Sequence, residues 1–346
     1  MATRKRVTAQ DVARLAGVSR TTVSFVLNNV TDMRISEETR QKVLAAARLL
    51  NYHPDAVARR MVTGRTRVVG FVLRQSPEQA FADLFLPQVL NGLSQAAARQ
   101  GYQVLFEPIP PDQPNTMYSR LVNERHVDGI ILSGPRFDDE DLLRLHREGA
   151  PLVLIGRLPD VEIPYVDVDN IGGARMATEY LIQKGHRRIG LITNAPLSYT
   201  ASAERLSGYR QALEAAGLAF DETLVRYGNF TPHSGYQAMA ALLQVRPLPT
   251  AVFVASDTVA LGALQAIRHA GLRIPSDISL IGFDDIPLAG FLDPPLTTIH
   301  LPAFNLGWEA AEMLLQRLSA EEATPPYRLL ATHLVERESC APPRKS

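Results

Sequence analysis

Arg20, Thr21, Ser24, Phe25 and Asn28 fall at the spacing that puts them on one outward face of a short helix. Short polar side chains with an arginine are residue types suited to base edges and phosphates. No set of residues asks for catalysis. The chain contains no G-x-x-x-x-G-K-[ST], G-x-G-x-x-G, H-E-x-x-H or G-x-S-x-G motif. Its eight histidines are scattered without ligand spacing, and one cysteine, Cys340, can build neither a disulfide framework nor a Cys-based metal site. The carboxylate pairs Asp284–Asp285 and Asp167/Asp169 are adjacent in a turn or alternate along a strand. Such pairs rarely form an acid/base couple, so they read as structural or ligand-binding. No catalytic residue, metal or cofactor is expected.

Three short helices must position the polar face. The first spans about Ala9–Ala16, with Val12, Leu15 and Ala16 on one side, Thr8 as N-cap and Asp11 three residues on. Gly17 supplies a tight turn. Ser19 caps a second helix from Arg20 to about Asn28, whose inward residues are Val23, Val26 and Leu27. Ser36 caps a third, Glu37–Leu50, with Val43, Ala46, Ala47 and Leu50 facing the others. This order is the helix-turn-helix arrangement, whose second helix enters the major groove. An ordinary three-helix bundle with a polar surface has the same pattern. Charge adds a second indication: residues 1–66 hold 12 Lys and Arg against 5 Asp and Glu, net +7, while the whole chain is net zero. A basic module on an acidic body suits a polyanion partner, although a solvated basic face also fits.

Pro54 ends the third helix. Asp55 then caps a segment, Ala56 to about Val62, too short to be a stable helix alone. From residue 67 short apolar strands alternate with helical stretches. Val68–Leu73, Gln103–Phe106, Gly129–Ser133 and Leu152–Gly156 read as strands, with helices over Leu84–Gln100, Met117–Arg125 and Asp138–Gly149. A second set has strands Arg188–Thr193, Thr223–Tyr227, Ala251–Ala255 and Ser279–Phe283, and helices Gly173–Lys184, Ala203–Ala216, Ser234–Gln244 and Thr258–Ala270. Two successive α/β sets predict two parallel-sheet lobes with a ligand cleft at the strand ends. The N-terminus lacks a signal-peptide core and no apolar run reaches membrane-spanning length, so a soluble cytoplasmic protein without membrane association is expected.

The stretches VTAQDVARLAGVSRTTVSFVLNN and ISEETRQKVLAAARLLNYHPDAVARRMVTGRTRVVGFVL strongly resemble the head of lactose-repressor (LacI/GalR) family transcription regulators. Segments such as AERLSGYRQAL, VFVASDTVALGALQAI and GLRIPSDISLIGFDDIPLAGFLDPPLTTI resemble the family's periplasmic-binding-protein-like core, and the similarity runs from residue 7 to about 335. It implies an all-α helix-turn-helix head over residues 1–52, a hinge over 53–66, and a core of two doubly wound lobes over 67–340. The first lobe would take about 67–168 and 301–328, the second about 169–300 and 329–340.

The resemblance also implies roles. Arg20, Thr21 and Ser24 match the recognition helix, while Thr8, Ser19, Thr22, Asn28, Ser36 and Thr39 match residues near phosphates or caps. Met61 stands where a leucine usually wedges the minor groove, with Arg59 and Arg60 beside the phosphates. Phe25 departs from the pattern. An arginine that reads guanine is common there, and a phenylalanine offers only apolar contact, for example to a thymine methyl. In the core, Arg205, Asp284, Ser256, Asp257 and Phe230 match ligand contacts, and Arg157, Phe85 and Tyr199 are further candidates to line the cleft. On residue type alone Arg205 fits a surface ion pair, Phe230 a core position and Asp284 a turn. The implied function is that of a homodimeric regulator, in the repressor mould. It would bind palindromic double-stranded DNA, with a sugar or related polyhydroxylated effector switching its affinity. A tail without heptads argues against a tail-driven tetramer. A sugar-binding transport receptor would carry a signal peptide and no basic head, and an enzyme on this fold would show turnover.

Overall fold

The computed structural model describes residues 7–27, 34–52, 64–111, 117–319 and 326–344. The chain divides into two compact units, Met1–Thr66 and Arg67–Ser346.

In the first unit, α1 (Ala9–Ala16) starts where the backbone N–H and hydroxyl of Thr8 both donate to the Asp11 carboxylate, at 3.0 and 2.7 Å. It stops at Gly17, which takes the left-handed φ of 66° that a side chain would resist. Before α2 (Arg20–Leu27), Ser19 Oγ accepts from the Thr22 N–H at 3.0 Å. Before α3 (Glu37–Leu49), Ser36 Oγ accepts from the Thr39 N–H at 3.2 Å, and Glu37 and Glu38 favour the positive end of the helix dipole. Val12, Ala13, Val23, Val26, Val43, Ala46 and Ala47 form the core. Leu15, expected on the inner face of α1, is instead 54% exposed. The stripe that packs is Ala9, Val12, Ala13 and Ala16, the i, i+3, i+4, i+7 series, and Leu15 lies off it.

The second unit holds two six-stranded sheets. The first has the order β11-β5-β4-β3-β1-β2 and is parallel throughout, built from β1 (Val68–Leu73), β2 (Gln103–Pro108), β3 (Gly129–Ser133), β4 (Leu152–Ile155), β5 (Tyr165–Val168) and β11 (Tyr327–Leu330). Central strands such as β1 and β4 are apolar on both faces because helices cover both. Helices α4 (Pro77–Ala82), α5 (Leu86–Arg99), α6 (Met117–Asn123) and α7 (Glu140–Arg147) lie between the strands. The single helix expected over Leu84–Gln100 starts later, at Leu86, with Phe85 as its N-cap residue.

The second sheet has the order β12-β10-β9-β8-β6-β7, built from β6 (Ile189–Thr193), β7 (Val225–Tyr227), β8 (Ala251–Val254), β9 (Ser279–Asp284), β10 (Thr297–His300) and β12 (His333–Val335). Only β12 runs antiparallel in it. Its helices are α8 (Asn170–Gln183), α9 (Thr200–Ala215), α10 (Pro232–Leu242) and α11 (Asp257–His269). A long helix, α12 (Ala303–Ser319), leaves this sheet and packs on α5 of the first. The approach is so close that a Cβ on Gly92 would sit 1.9 Å from the Phe304 carbonyl oxygen, and one on Gly307 2.0 Å from that of Val89. The sequence reading named no element after Phe283, so β10, α12, β11 and β12 are additions. The chain therefore passes between sheets after β5, after β10 and after β11. Three crossings on one side leave a cleft open at the carboxyl ends of both sheets.

Candidate ligand cleft and nucleic-acid face

The cleft holds a cavity of about 110 Å³ at the carboxyl ends of the strands, where ligand sites of such folds lie. Its centre is Arg205 on α9. Nε donates to Asn170 Oδ1 at 3.0 Å, Nη1 donates to the Ala255 carbonyl at 2.7 Å, and the guanidinium lies 4.0 Å over the Phe283 ring. These contacts fix the plane of the fork, and Arg205 itself is 6% exposed. Among the described residues, nothing accepts from Nη2. Burial pulls the Arg205 pKa down, opposed chiefly by Asp284 and Asp167.

Carboxylates surround the fork. Asp284 ends β9 and stands 3.8 Å from Arg205 Nη1. Burial raises it well above the usual range, against the pull of Arg205. Burial also lifts Asp83, which accepts from the Phe85 N–H at 3.1 Å, to about 6. Asp167, which accepts from the Val168 N–H at 2.7 Å and from Asn170 Nδ2 at 3.1 Å, is lifted to about 7. Phe85 and Phe230 bring aromatic rings to the lining. Phe230 and Asp284 hold left-handed φ values of 63° and 118°, unusual outside glycine. Such backbone costs roughly 1–3 kcal/mol per residue and concentrates where side chains must be aimed.

Of the eight candidates, Phe85, Arg205, Phe230, Ser256 and Asp284 line the cleft. The other three do not. Asp257 is fully buried and structural: it accepts from the Ile286 N–H at 3.0 Å and the Thr298 hydroxyl at 2.7 Å. Tyr199 is 3% exposed and stands edge-on behind Phe230, ring centroids 5.0 Å apart. Arg157 sits in a neighbouring cavity and pairs with Glu204 at 3.2 Å. The lining also includes Asp167, one of the carboxylates read from sequence as structural or ligand-binding, and Gln75, Asp83, Asn170 and Asn194, which the sequence did not single out. Asn170 lies two residues past β5 and Asn194 directly follows β6, so position at a strand's carboxyl end was the available signal.

In the head, Arg20 and Thr21 are exposed on α2, and Ser24 and Phe25 are half-buried on it. The hydroxyls of Ser19 and Thr22 meet at 2.8 Å and those of Ser36 and Thr39 at 2.9 Å, so all four take part in helix caps. Thr8 caps α1. Asn28, Arg59, Arg60 and Met61 lie outside the described residues. Among the described residues no helix is long and apolar enough to cross a membrane.

Comparison with known proteins agrees with both units. The description of bacterial regulatory proteins of the lacI family matches residues 2–55, and a periplasmic binding protein-like domain matches residues 178–340. The HTH-type transcriptional regulator CelR of Thermobifida fusca is 40% identical over 342 residues, covering 98% of this chain and 100% of that one. The solved complex of the transcriptional regulator CelR with cellobiose is 39% identical, with a TM-score of 0.75, over 96% of this chain and 100% of that one. The Lac repressor dimer bound to operator and the anti-inducer ONPF is 30% identical, with a TM-score of 0.82, over 97% and 100% of the two chains. Head and cleft together define a DNA-binding transcription regulator governed by a small ligand. The chain belongs to the lacI family of bacterial regulatory proteins.

Proposed function

We propose that this regulator is a cytoplasmic homodimer without enzymatic activity that represses from a palindromic operator and is switched by a neutral saccharide of about disaccharide size held between its lobes. The observation that carries the ligand class is the buried Arg205 fork among Asp83, Asp167 and Asp284. The buried carboxyls of Asp167 and Asp284 and the half-buried one of Asp83 disfavour an anionic ligand. Burial raises the proton affinity of all three, so each gains from a further donor such as a sugar hydroxyl, while Nη2 donates to a hydroxyl oxygen. Phe85 and Phe230 suit the apolar faces of pyranose rings. The cellobiose complex of CelR supports the same class. Dimerisation is supported by the Lac repressor dimer, and base contact by the exposed face of α2 with Arg20, Thr21, Ser24 and Phe25, completed by Asn28. Arg59 and Met61 would act at the operator centre.

The test pairs titration calorimetry of cellobiose and other disaccharides with operator binding selected from a palindromic DNA library. Arg205→Lys keeps the charge but loses the planar fork. It is expected to weaken the best-binding sugar roughly 100-fold and to leave ligand-free operator binding unchanged. If no DNA sequence beats random DNA at physiological salt, or if nucleosides bind and disaccharides do not, this reading is wrong.

A further inference from the structure

Neither Arg157 nor Glu204 lines the main cleft, yet hydrogen bonds lead from both to its guanidinium. Arg157 follows β4 in the first lobe and Glu204 lies on α9 in the second. Arg157 Nη2 donates to Glu204 Oε1 at 3.2 Å and so joins the lobes behind the cleft. Between this pair and Arg205 stands Asn170, the first residue of α8 and 2% exposed. Its Oδ1 accepts from Arg205 Nε at 3.0 Å, its Nδ2 donates to Asp167 Oδ1 at 3.1 Å, and its amide also donates to Glu204. Arg157 closes the circuit, because its backbone N–H donates to the Asp167 carboxylate. We propose that Arg157 and Glu204 are positioning residues for effector binding: they hold the Asn170 amide, and through it the plane of the Arg205 fork, while the lobes are together. The proposal rests on Arg205 being the group that binds effector in the main cleft.

The Asn170 amide has one workable orientation. Two carboxylates face its nitrogen and a guanidinium faces its oxygen. Turned over, the oxygen would meet both carboxylates and the N–H groups would meet the cation, so every contact would repel. A buried amide needs an acceptor for each of its two hydrogens, and Asp167 and Glu204 supply them, with the Val168 carbonyl more distant at 3.5 Å. Each carboxylate is satisfied in turn from the first lobe by Arg157, one through its backbone N–H and the other through its side chain. Burial raises the pKa of Glu204 and Arg157 opposes the rise, so Arg157 keeps Glu204 an acceptor. The Arg157 and Glu204 side chains are 47% and 15% exposed, and a half-exposed ion pair contributes little to stability by itself. Its effect lies in what it orients. Members of such a network act as a unit, and a planar fork turned out of line loses the hydrogen bonds that depend on its plane.

The experiment is titration calorimetry of cellobiose on the full chain, for the wild type, Glu204→Ala, Glu204→Gln, Arg157→Ala and the double variant with alanine at both positions. Thermal unfolding establishes that each is folded. Glu204→Ala is expected to bind cellobiose roughly 10-fold more weakly. Glu204→Gln keeps an oxygen for the Asn170 amide and should recover most of that loss. Arg157→Ala should cost roughly 3-fold in the wild type and nothing further beside Glu204→Ala. An equal cost of Arg157→Ala in both backgrounds, a glutamine variant as weak as the alanine one, or wild-type affinity in Glu204→Ala overturns the proposal. A second measurement needs no ligand. The Nε–H resonance of Arg205, identified by its loss in Arg205→Lys, should exchange with solvent roughly 5-fold faster in Glu204→Ala than in the wild type, and equal exchange also overturns the positioning role. Failure of the wild type to bind cellobiose rejects the saccharide reading alone, and the exchange rate then decides whether Glu204 positions Arg205.

Discussion

The hydroxyl of Tyr199, at the start of α9 in the second lobe, donates to the backbone carbonyl of Arg74 at the end of β1 in the first. The contact belongs to a strap between the lobes. The Phe137 N–H donates to the Ser198 carbonyl at 2.9 Å, the Thr200 N–H donates to that of Pro135 at 3.1 Å, and the Arg136 guanidinium lies 5.0 Å over the Tyr199 ring. The same ring backs Phe230, a wall of the cleft. Tyr199 therefore joins the ligand surface to the lobe closure, although it touches no ligand space itself. Tyr199→Phe removes one interlobe hydrogen bond and keeps the ring. Such a bond contributes about 1 kcal/mol, so effector affinity should fall about 5-fold and the effector dose for operator response should rise in parallel. Ligand-free operator affinity should stay put. Calorimetry and operator titration read the two quantities separately, and an unchanged effector affinity rejects the strap as part of closure.

The buried carboxyls also give stability a pH dependence. Asp167 is lifted by burial from 3.8 to about 7. An acid with a raised folded pKa binds more protons folded than unfolded between those two values, so folding loses stability as pH rises across that window. Asp167→Asn keeps an oxygen to accept from the Val168 N–H and from Asn170 but cannot ionise. In ligand-free protein the variant should therefore gain on the wild type between pH 5 and pH 8, by about 1–2 kcal/mol or a few degrees in Tm. A gap between the two melting temperatures that does not move with pH sinks the assignment.

Phe25 governs a different readout. It is half-buried on the face of α2 that carries Arg20 and Thr21, and a phenyl ring has no donor for a guanine edge. Phe25→Arg should shift the selected operator toward guanine at one symmetric position per half-site, with a change of about 1–3 kcal/mol in base preference there. Selection from a random palindromic library before and after substitution shows it. An identical consensus from both proteins means that residue 25 does not face a base.

Local signals made the head and most strands legible. Ser19 and Ser36 announce helix starts because a short hydroxyl satisfies a free backbone N–H, and Gly17 announces a stop because only glycine takes its φ cheaply. Runs such as Val68–Leu73 are apolar without alternation because both faces of a parallel strand are covered. What failed was non-local. Leu15 was misplaced because one leucine suggests burial more strongly than two alanines, yet in an eight-residue helix the packing stripe is set by the neighbours it meets. Asp257 and Asp284 are both buried aspartates near strand ends, but only the fold shows that Thr298 and the Ile286 N–H occupy the first while Arg205 approaches the second. Arg157 follows a strand as a cleft residue should, and the crossing after β5 places it on the far side of the Asp167–Asn170 wall.

Gln75 carries the last prediction. It follows β1, is 5% exposed and lines the cleft, and among the described residues its side-chain oxygen has no hydrogen-bond partner. A buried amide oxygen left without a donor costs roughly 1–3 kcal/mol, a cost relieved only when something in the cleft donates to it. Gln75→Met keeps length and approximate volume and removes the polar atoms. The two effects should then have opposite signs: the ligand-free variant melts higher, by about 1 kcal/mol of stability, while effector binding weakens roughly 10-fold because a ligand hydroxyl loses its acceptor. A deoxy sugar lacking that hydroxyl should bind both proteins alike, which assigns the loss to one bond instead of a reshaped cleft. If the substitution lowers both stability and affinity, Gln75 supports the loop and does not read the ligand.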